Sequence, residues 1–108
     1  RGAYSPSKAA LNCLAGMLAV EWAQYRINVN TVCPGVAATP MTKRVYSRDP
    51  GLKEMRRKRM PIPREVYPEE IAELVAFLCG SGGNYVNGAA IPIDGGFSQS
   101  GFMPEPEI

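Results

Sequence analysis

The stretch from Ala9 to Ala23 is apolar on nearly every side. Leu11, Leu14, Met17, Leu18, Val20 and Trp22 stand among Ala9, Ala10, Cys13, Ala15, Ala19 and Ala23. Such a run predicts an α-helix, taken here from about Ser5 to Tyr25. Pro6 fits its first turn, where a missing N–H has no intrahelical partner to lose. A helix without a polar face must be covered on more than one side. The chain therefore has to set it against a sheet and against a second surface. The small residues Ala9, Ala10, Ala15 and Gly16 permit close approach of another backbone, and burial wholly within one subunit is the alternative.

The remaining segments supply a sheet. Residues Ile27 to Cys33 alternate with strand periodicity, and Pro34-Gly35 ends the run. Met41 to Tyr46 suits a short helix. Asp49-Pro50 opens another, with Leu52, Met55 and Met60 on its apolar side and Arg56-Arg57-Lys58-Arg59 as a charge cluster; Pro61 and Pro63 stop it. That basic cluster reads first as a solvated face, with an anionic substrate, a carrier-protein surface or a phosphate as alternatives. Tyr67-Pro68-Glu69-Glu70 opens a last long helix with proline at its first position and carboxylates in its first turn. Ile71, Leu74, Val75 and Leu78 form its stripe, and Gly80 to Gly83 end it. These glycines follow a helix rather than opening one, so they are no phosphate cradle. Asn87-Gly88 turns into a strand over Ala89 to Asp94, and Pro92 inside it marks an edge. Helix, strand, helices and strand in this order predict an α/β fold with parallel strands, which binds ligands in the loops after its strands.

Composition narrows the functions open to such a fold. With 108 residues, a net charge of +2, 45% apolar and 20% charged residues, the chain has the make-up of one small globular domain. Neither nucleic acid nor a membrane is expected as a partner: the charge is small, no aromatic residues interleave the basic cluster, and no apolar run reaches spanning length. The chain has no histidine, which removes Ser-His-Asp and Cys-His catalysis and most zinc sites, and no metal is expected. Cys13, Cys33 and Cys79 are widely spaced in apolar surroundings and read as buried free thiols of a reducing, cytoplasmic setting.

One pair carries chemistry. Tyr4 and Lys8 are four residues apart, which on a helix is a rise of about 6 Å along one face. A nearby cation favours phenolate over phenol and makes tyrosine usable as a general acid and base. Alone, the pair reads first as a tyrosine and a surface lysine that merely share a helix face.

The wider pattern decides between them. Tyr4-Ser-Pro-Ser-Lys8-Ala-Ala-Leu11-Asn12, then Ile27-Asn28-Val29-Asn30, Cys33-Pro34-Gly35, Thr39-Pro40-Met41, Pro68-Glu69-Glu70-Ile71-Ala72 and finally Asn87-Gly88 with Asp94-Gly95-Gly96 stand in one order. Over residues 2 to 97 this closely resembles the C-terminal part of a short-chain dehydrogenase/reductase. The resemblance implies the C-terminal part of a Rossmann-like, doubly wound parallel sheet over residues 1–97, followed by a tail over 98–108. It implies Tyr4 and Lys8 as catalytic residues that also touch the cofactor, NAD or NADP. Pro34, Gly35, the backbone near Ala37 and the Thr39 hydroxyl are then expected against the nicotinamide and its neighbouring phosphate, where an ordinary Pro-Gly turn is the plain alternative.

The same resemblance makes residues 41–66 a substrate lid and Asp94 a structural residue of the closing turn. It implies a small alcohol or ketone as substrate, and a homodimer or homotetramer formed through the 5–25 helix. No glycine-rich turn of dinucleotide-binding type precedes Tyr4, so the expectation is a piece completed by an N-terminal half. The competing expectation is an inactive fragment serving as an oligomerisation module. Phe102-Met103 in a tail unsuited to helix or strand is expected either to fray or to lie over a neighbouring subunit.

Overall fold

Two backbone hydrogen bonds fix the direction of the sheet. Thr31 N–H donates to the Ala89 carbonyl at 2.9 Å and Gly35 N–H to the Ile93 carbonyl at 3.1 Å. Donor and acceptor advance together along both strands, so β1 (Thr31–Pro34) and β2 (Ala90–Ile93) run parallel. The computed structural model describes residues 2–102. Its helices are α1 (Tyr4–Trp22), α2 (Pro40–Arg48), α3 (Pro50–Arg59) and α4 (Pro68–Cys79). The architecture is α/β, as expected. The chain gathers into two units, residues 2–32 with Leu74–Ile91, and Cys33–Glu73 with residues 92–102.

In the first unit, α1 begins at Tyr4 and passes into a 3₁₀ turn over Ala23–Tyr25. Arg26 then adopts left-handed angles (φ 60°), and the Ile27 amide reaches back to the Trp22 carbonyl. This ending forms without a glycine, so the sequence carries no stop signal for it. Ala15 and Ala19 are buried, whereas Leu11, Leu14, Met17 and Val20 are exposed. The helix thus offers a broad uncovered apolar side, where its composition calls for cover.

The first strand is shorter than its periodicity predicts, because asparagine side chains take over the pairing before Thr31. Asn87 Oδ1 accepts from Val29 N–H at 2.9 Å, and Asn30 Oδ1 accepts from Ala89 N–H at 3.0 Å. Asn30 Nδ2 donates to the Val86 carbonyl at 2.8 Å, Asn87 Nδ2 to the Ala19 carbonyl at 2.9 Å, and Asn28 Nδ2 to the carbonyls of Gly83 and Asn84. Each amide offers both a donor and an acceptor, and these three side chains tie α1, the approach to β1 and the approach to β2 into one unit. Gly83 closes the turn after α4 so tightly that a Cβ there would strike the Leu78 carbonyl.

In the second unit, α2 packs on α3. The caps follow the sequence: Thr39 Oγ1 accepts from Thr42 N–H, and Asp49 Oδ1 accepts from Leu52 N–H, each ahead of a proline at the first helical position. Met60 is buried. Asp94 accepts from the backbone amides of Gly96 (3.0 Å) and Ser98 (2.9 Å). Those bonds, Ser98 foremost, hold its carboxyl below the ordinary value and make it a closing-turn residue, as expected. Gly95 and Gly96 both take positive φ, 61° and 86°, which only glycine adopts readily.

One expectation needs correction. Cys13 and Cys79 are exposed and Cys33 half-buried, although all three are free; Cys13 and Cys79 lie on uncovered helix faces and Cys33 on β1, rather than in a core. At the start of the tail, Phe97–Phe102 forms a 3₁₀ segment, with Asp94 accepting from Ser98 N–H. The expected fraying or packing of Phe102-Met103 concerns the side chain at 102 and residue 103, which lie outside what the structure describes.

Candidate functional site

Tyr4 is the first residue of α1 and is 65% exposed. No side chain caps this helix start, although Ser7 Oγ donates to the Tyr4 carbonyl at 2.7 Å. Lys8 follows one turn later, and its Nζ lies 5.6 Å from the centre of the Tyr4 ring. That is within cation–π range. The ammonium stands over the ring face, so it acts on the phenol through space. An exposed tyrosine beside a cation is suited to passing a proton to or from a bound molecule.

The loop after β1 is built within the second unit. Gly35 comes so close to the end of β2 that a Cβ would lie 3.0 Å from Asp94 Cα and Cβ. Its need for glycine is therefore met by the chain itself, and a flat ring is not required to explain it. Ala37 forms a parallel bridge with Val66, through Val66 N–H to the Val36 carbonyl and Ala38 N–H to the Val66 carbonyl, both 2.9 Å. The Ala37 carbonyl accepts from Thr42 Oγ1 at 2.7 Å, while its own N–H has no partner among the described residues. Thr39 is the N-cap of α2. The loop is thus pinned on both sides, with the amides of Val36 and Ala37 unpaired among the described residues.

The basic cluster is less solvated than its composition suggests. Arg57 Nη2 pairs with Glu65 Oε2 at 2.9 Å, and Glu65 is only 9% exposed. Lys53 and Arg56 both lie against the Tyr46 ring, at 6.0 and 5.7 Å. Arg64 grips both carboxylate oxygens of Glu70, at 2.9 and 2.7 Å, and lies 4.9 Å from the centre of the Tyr67 ring. That grip, helped by the Tyr67 amide, lowers Glu70 to about 2. Arg64 and Glu70 flank a pocket of about 160 Å³ whose apolar wall includes Met60, Ile62, Val66 and Phe97. Tyr46, Arg64 and Glu65 escaped the sequence reading: their partners are set by the folding of 60–70 back along α3, which no spacing rule announces.

The described residues contain no group of His, Cys, Asp or Glu side chains able to hold a metal ion. Nor is any described helix long and apolar enough to cross a membrane.

Similarity to known proteins agrees with this architecture. A family model described as enoyl-(acyl carrier protein) reductase matches residues 1–98. A tropinone reductase homolog from Arabidopsis thaliana is 44% identical over 104 residues, which is 96% of this chain and 38% of that protein. The structure of Pseudomonas aeruginosa RhlG in an active-site complex with NADP is similar with a TM-score of 0.77 and 46% identity, over 88% of this chain and 38% of that one. A 4-hydroxyisoleucine dehydrogenase mutant complexed with NADH and succinate gives a TM-score of 0.85 at 29% identity, over 92% and 40%. The chain spans under two fifths of the length of the curated relatives it matches. On sequence and fold together, the chain belongs to the short-chain dehydrogenase/reductase family.

Proposed function

We propose that this chain is the catalytic and substrate-binding part of an NAD(P)-dependent oxidoreductase acting on a secondary alcohol or ketone. The observation that carries the reading is Lys8 Nζ standing 5.6 Å from the Tyr4 ring at an exposed helix start, in a chain of this family. An N-terminal half bearing the dinucleotide-binding turn would complete the enzyme. In support, the described apolar core is confined to Ala15, Ala19 and Met60, and a two-stranded sheet is not stable alone.

When bound, the nicotinamide accepts or delivers the hydride. Tyr4 takes the hydroxyl proton of an alcohol through its Oη, or returns one to a ketone oxygen. Lys8 stands beside the Tyr4 ring and would hold the nicotinamide ribose. Pro34 and Gly35 set the start of the cofactor loop, the free Ala37 amide suits a carboxamide oxygen, and the Thr39 hydroxyl suits a phosphate. The 41–66 segment would form the substrate lid. RhlG complexed with NADP and 4-hydroxyisoleucine dehydrogenase complexed with NADH support either nicotinamide as cofactor.

The uncovered side of α1, with Leu11, Leu14, Met17 and Val20, supports a homodimer or homotetramer formed through this helix. Three free cysteines favour a reducing, cytoplasmic setting. The test is titration of the full-length protein with NADH and NADPH, followed by fluorescence, with turnover assayed on secondary alcohols. A folded Tyr4→Phe protein should keep nucleotide binding and lose turnover by about 10²–10⁴-fold. Absence of nucleotide binding in a folded oligomer would instead favour an oligomerisation module.

A further inference from the structure

The second unit buries three polar atoms that have no hydrogen-bond partner among the described residues: Tyr46 Oη, Arg57 Nε and Glu65 Oε1. They belong to one cluster. Glu65 spends its other oxygen on Arg57 Nη2 at 2.9 Å, and that bond foremost, then its own backbone amide and the neighbouring Tyr46 hydroxyl, lower its carboxyl. Arg56 and Lys53 close over the Tyr46 ring, which keeps the hydroxyl turned inward.

Each atom comes from a different segment. Tyr46 is in the last turn of α2, Arg57 in the last turn of α3, and Glu65 immediately precedes Val66, whose backbone is bonded to Val36 and Ala38 in the loop after β1. Buried polar groups left unpaired are costly, and this set is complementary: Arg57 Nε–H donates, Glu65 Oε1 accepts, and Tyr46 Oη does both. One water molecule with three such partners satisfies all of them.

We propose that Tyr46, Arg57 and Glu65 form a buried polar clasp, closed by one ordered water, that fixes α2 and α3 to the segment bonded to the cofactor loop. These are positioning residues; they touch no reacting atom. The functional consequence rests on the lid reading given above: the clasp sets the lid's resting position, so loosening it weakens substrate binding without altering the chemical step.

Hydrogen exchange of the full-length protein, read by mass spectrometry, tests the clasp apart from catalysis. Glu65→Gln keeps the side-chain shape while ending its charge, and Tyr46→Phe removes only the hydroxyl, a milder change should the first variant fold poorly. Amides of α2 and α3 are expected to exchange about tenfold faster in Glu65→Gln, the scale set by breaking one buried charged hydrogen bond, and less so in Tyr46→Phe. The double variant should add little to Glu65→Gln, because both changes open one network. A crystal structure should place a water within hydrogen-bonding distance of all three atoms. Unchanged exchange in both single variants, additive effects in the double, or Tyr46 Oη bonded directly to Glu65 with no water would each overturn the clasp. Faster exchange together with raised KM and unchanged kcat supports the positioning role; faster exchange with unchanged KM overturns that role and the lid reading, and leaves the clasp standing.

Discussion

Lys8 Nζ stands 5.6 Å from the centre of the Tyr4 ring, one helical turn away on the exposed start of α1. Both side chains face solvent, so neither is held there by a core. Tyr4→Phe keeps the ring and removes the proton carrier. Turnover of the full-length protein should fall by about 10²–10⁴-fold, the range for loss of a general acid or base, with nucleotide affinity nearly unchanged. Lys8→Met should lower both. Steady-state kinetics beside nucleotide titration separates the two, and a Tyr4→Phe protein that keeps its turnover would remove tyrosine from the mechanism.

Asn87 joins three parts of the first unit through one side chain, accepting from Val29 N–H and donating to the Ala19 carbonyl. Asn87→Ala breaks both bonds and should destabilise the protein by about 1–3 kcal/mol, at roughly 0.5–1.5 kcal/mol for each bond. Asn30→Asp keeps the acceptor for Ala89 N–H and loses the donor to Val86, so its cost should be smaller than that of Asn30→Ala. Urea unfolding midpoints check the ranking.

Acid should weaken the second unit through its carboxylates. Glu70 falls from an ordinary 4.5 to about 2 because Arg64 grips it and the Tyr67 amide donates to it. A folded value below the unfolded one means that the contribution is complete above about pH 4.5 and is lost as pH falls towards 2. Glu65 and Asp94 shift in the same direction. Arg64→Gln should flatten part of the acid limb of a stability–pH curve and leave the slope above pH 6 as it was.

Glycines should divide sharply by position. Gly83→Ala would drive a methyl group into the Leu78 carbonyl, which is backbone and cannot swing aside. Gly95→Ala would place a strained φ of +61° 3.1 Å from Ile62 Cβ. Each should cost about 1–3 kcal/mol or more. Gly51→Ala, in the first turn of α3 with only Asp49 Oδ1 at 3.5 Å, should be neutral or stabilise by up to about 1 kcal/mol. Thermal unfolding of the three variants gives the order directly.

The sequence alone determined the α/β class, the four helices and the Tyr4–Lys8 pair, because these rest on local rules. Helical spacing, proline at the starts of α2, α3 and α4, and the Asp94-Gly95-Gly96 turn act over a few residues each. Tertiary structure decided what depends on distant partners. It shortened β1, since Asn87 and Asn30 take the hydrogen bonds that a longer strand would use, and it ended α1 at Arg26 without a glycine. It assigned the closeness of Gly35 to Asp94, and it turned Arg57 from one of a run of surface cations into the partner of a buried Glu65. A partner brought in by a turn of the chain, as for Arg57 and Glu65, or from 50 or more residues away, as for the asparagines, leaves no period or spacing along the chain, so only the folded backbone reveals it.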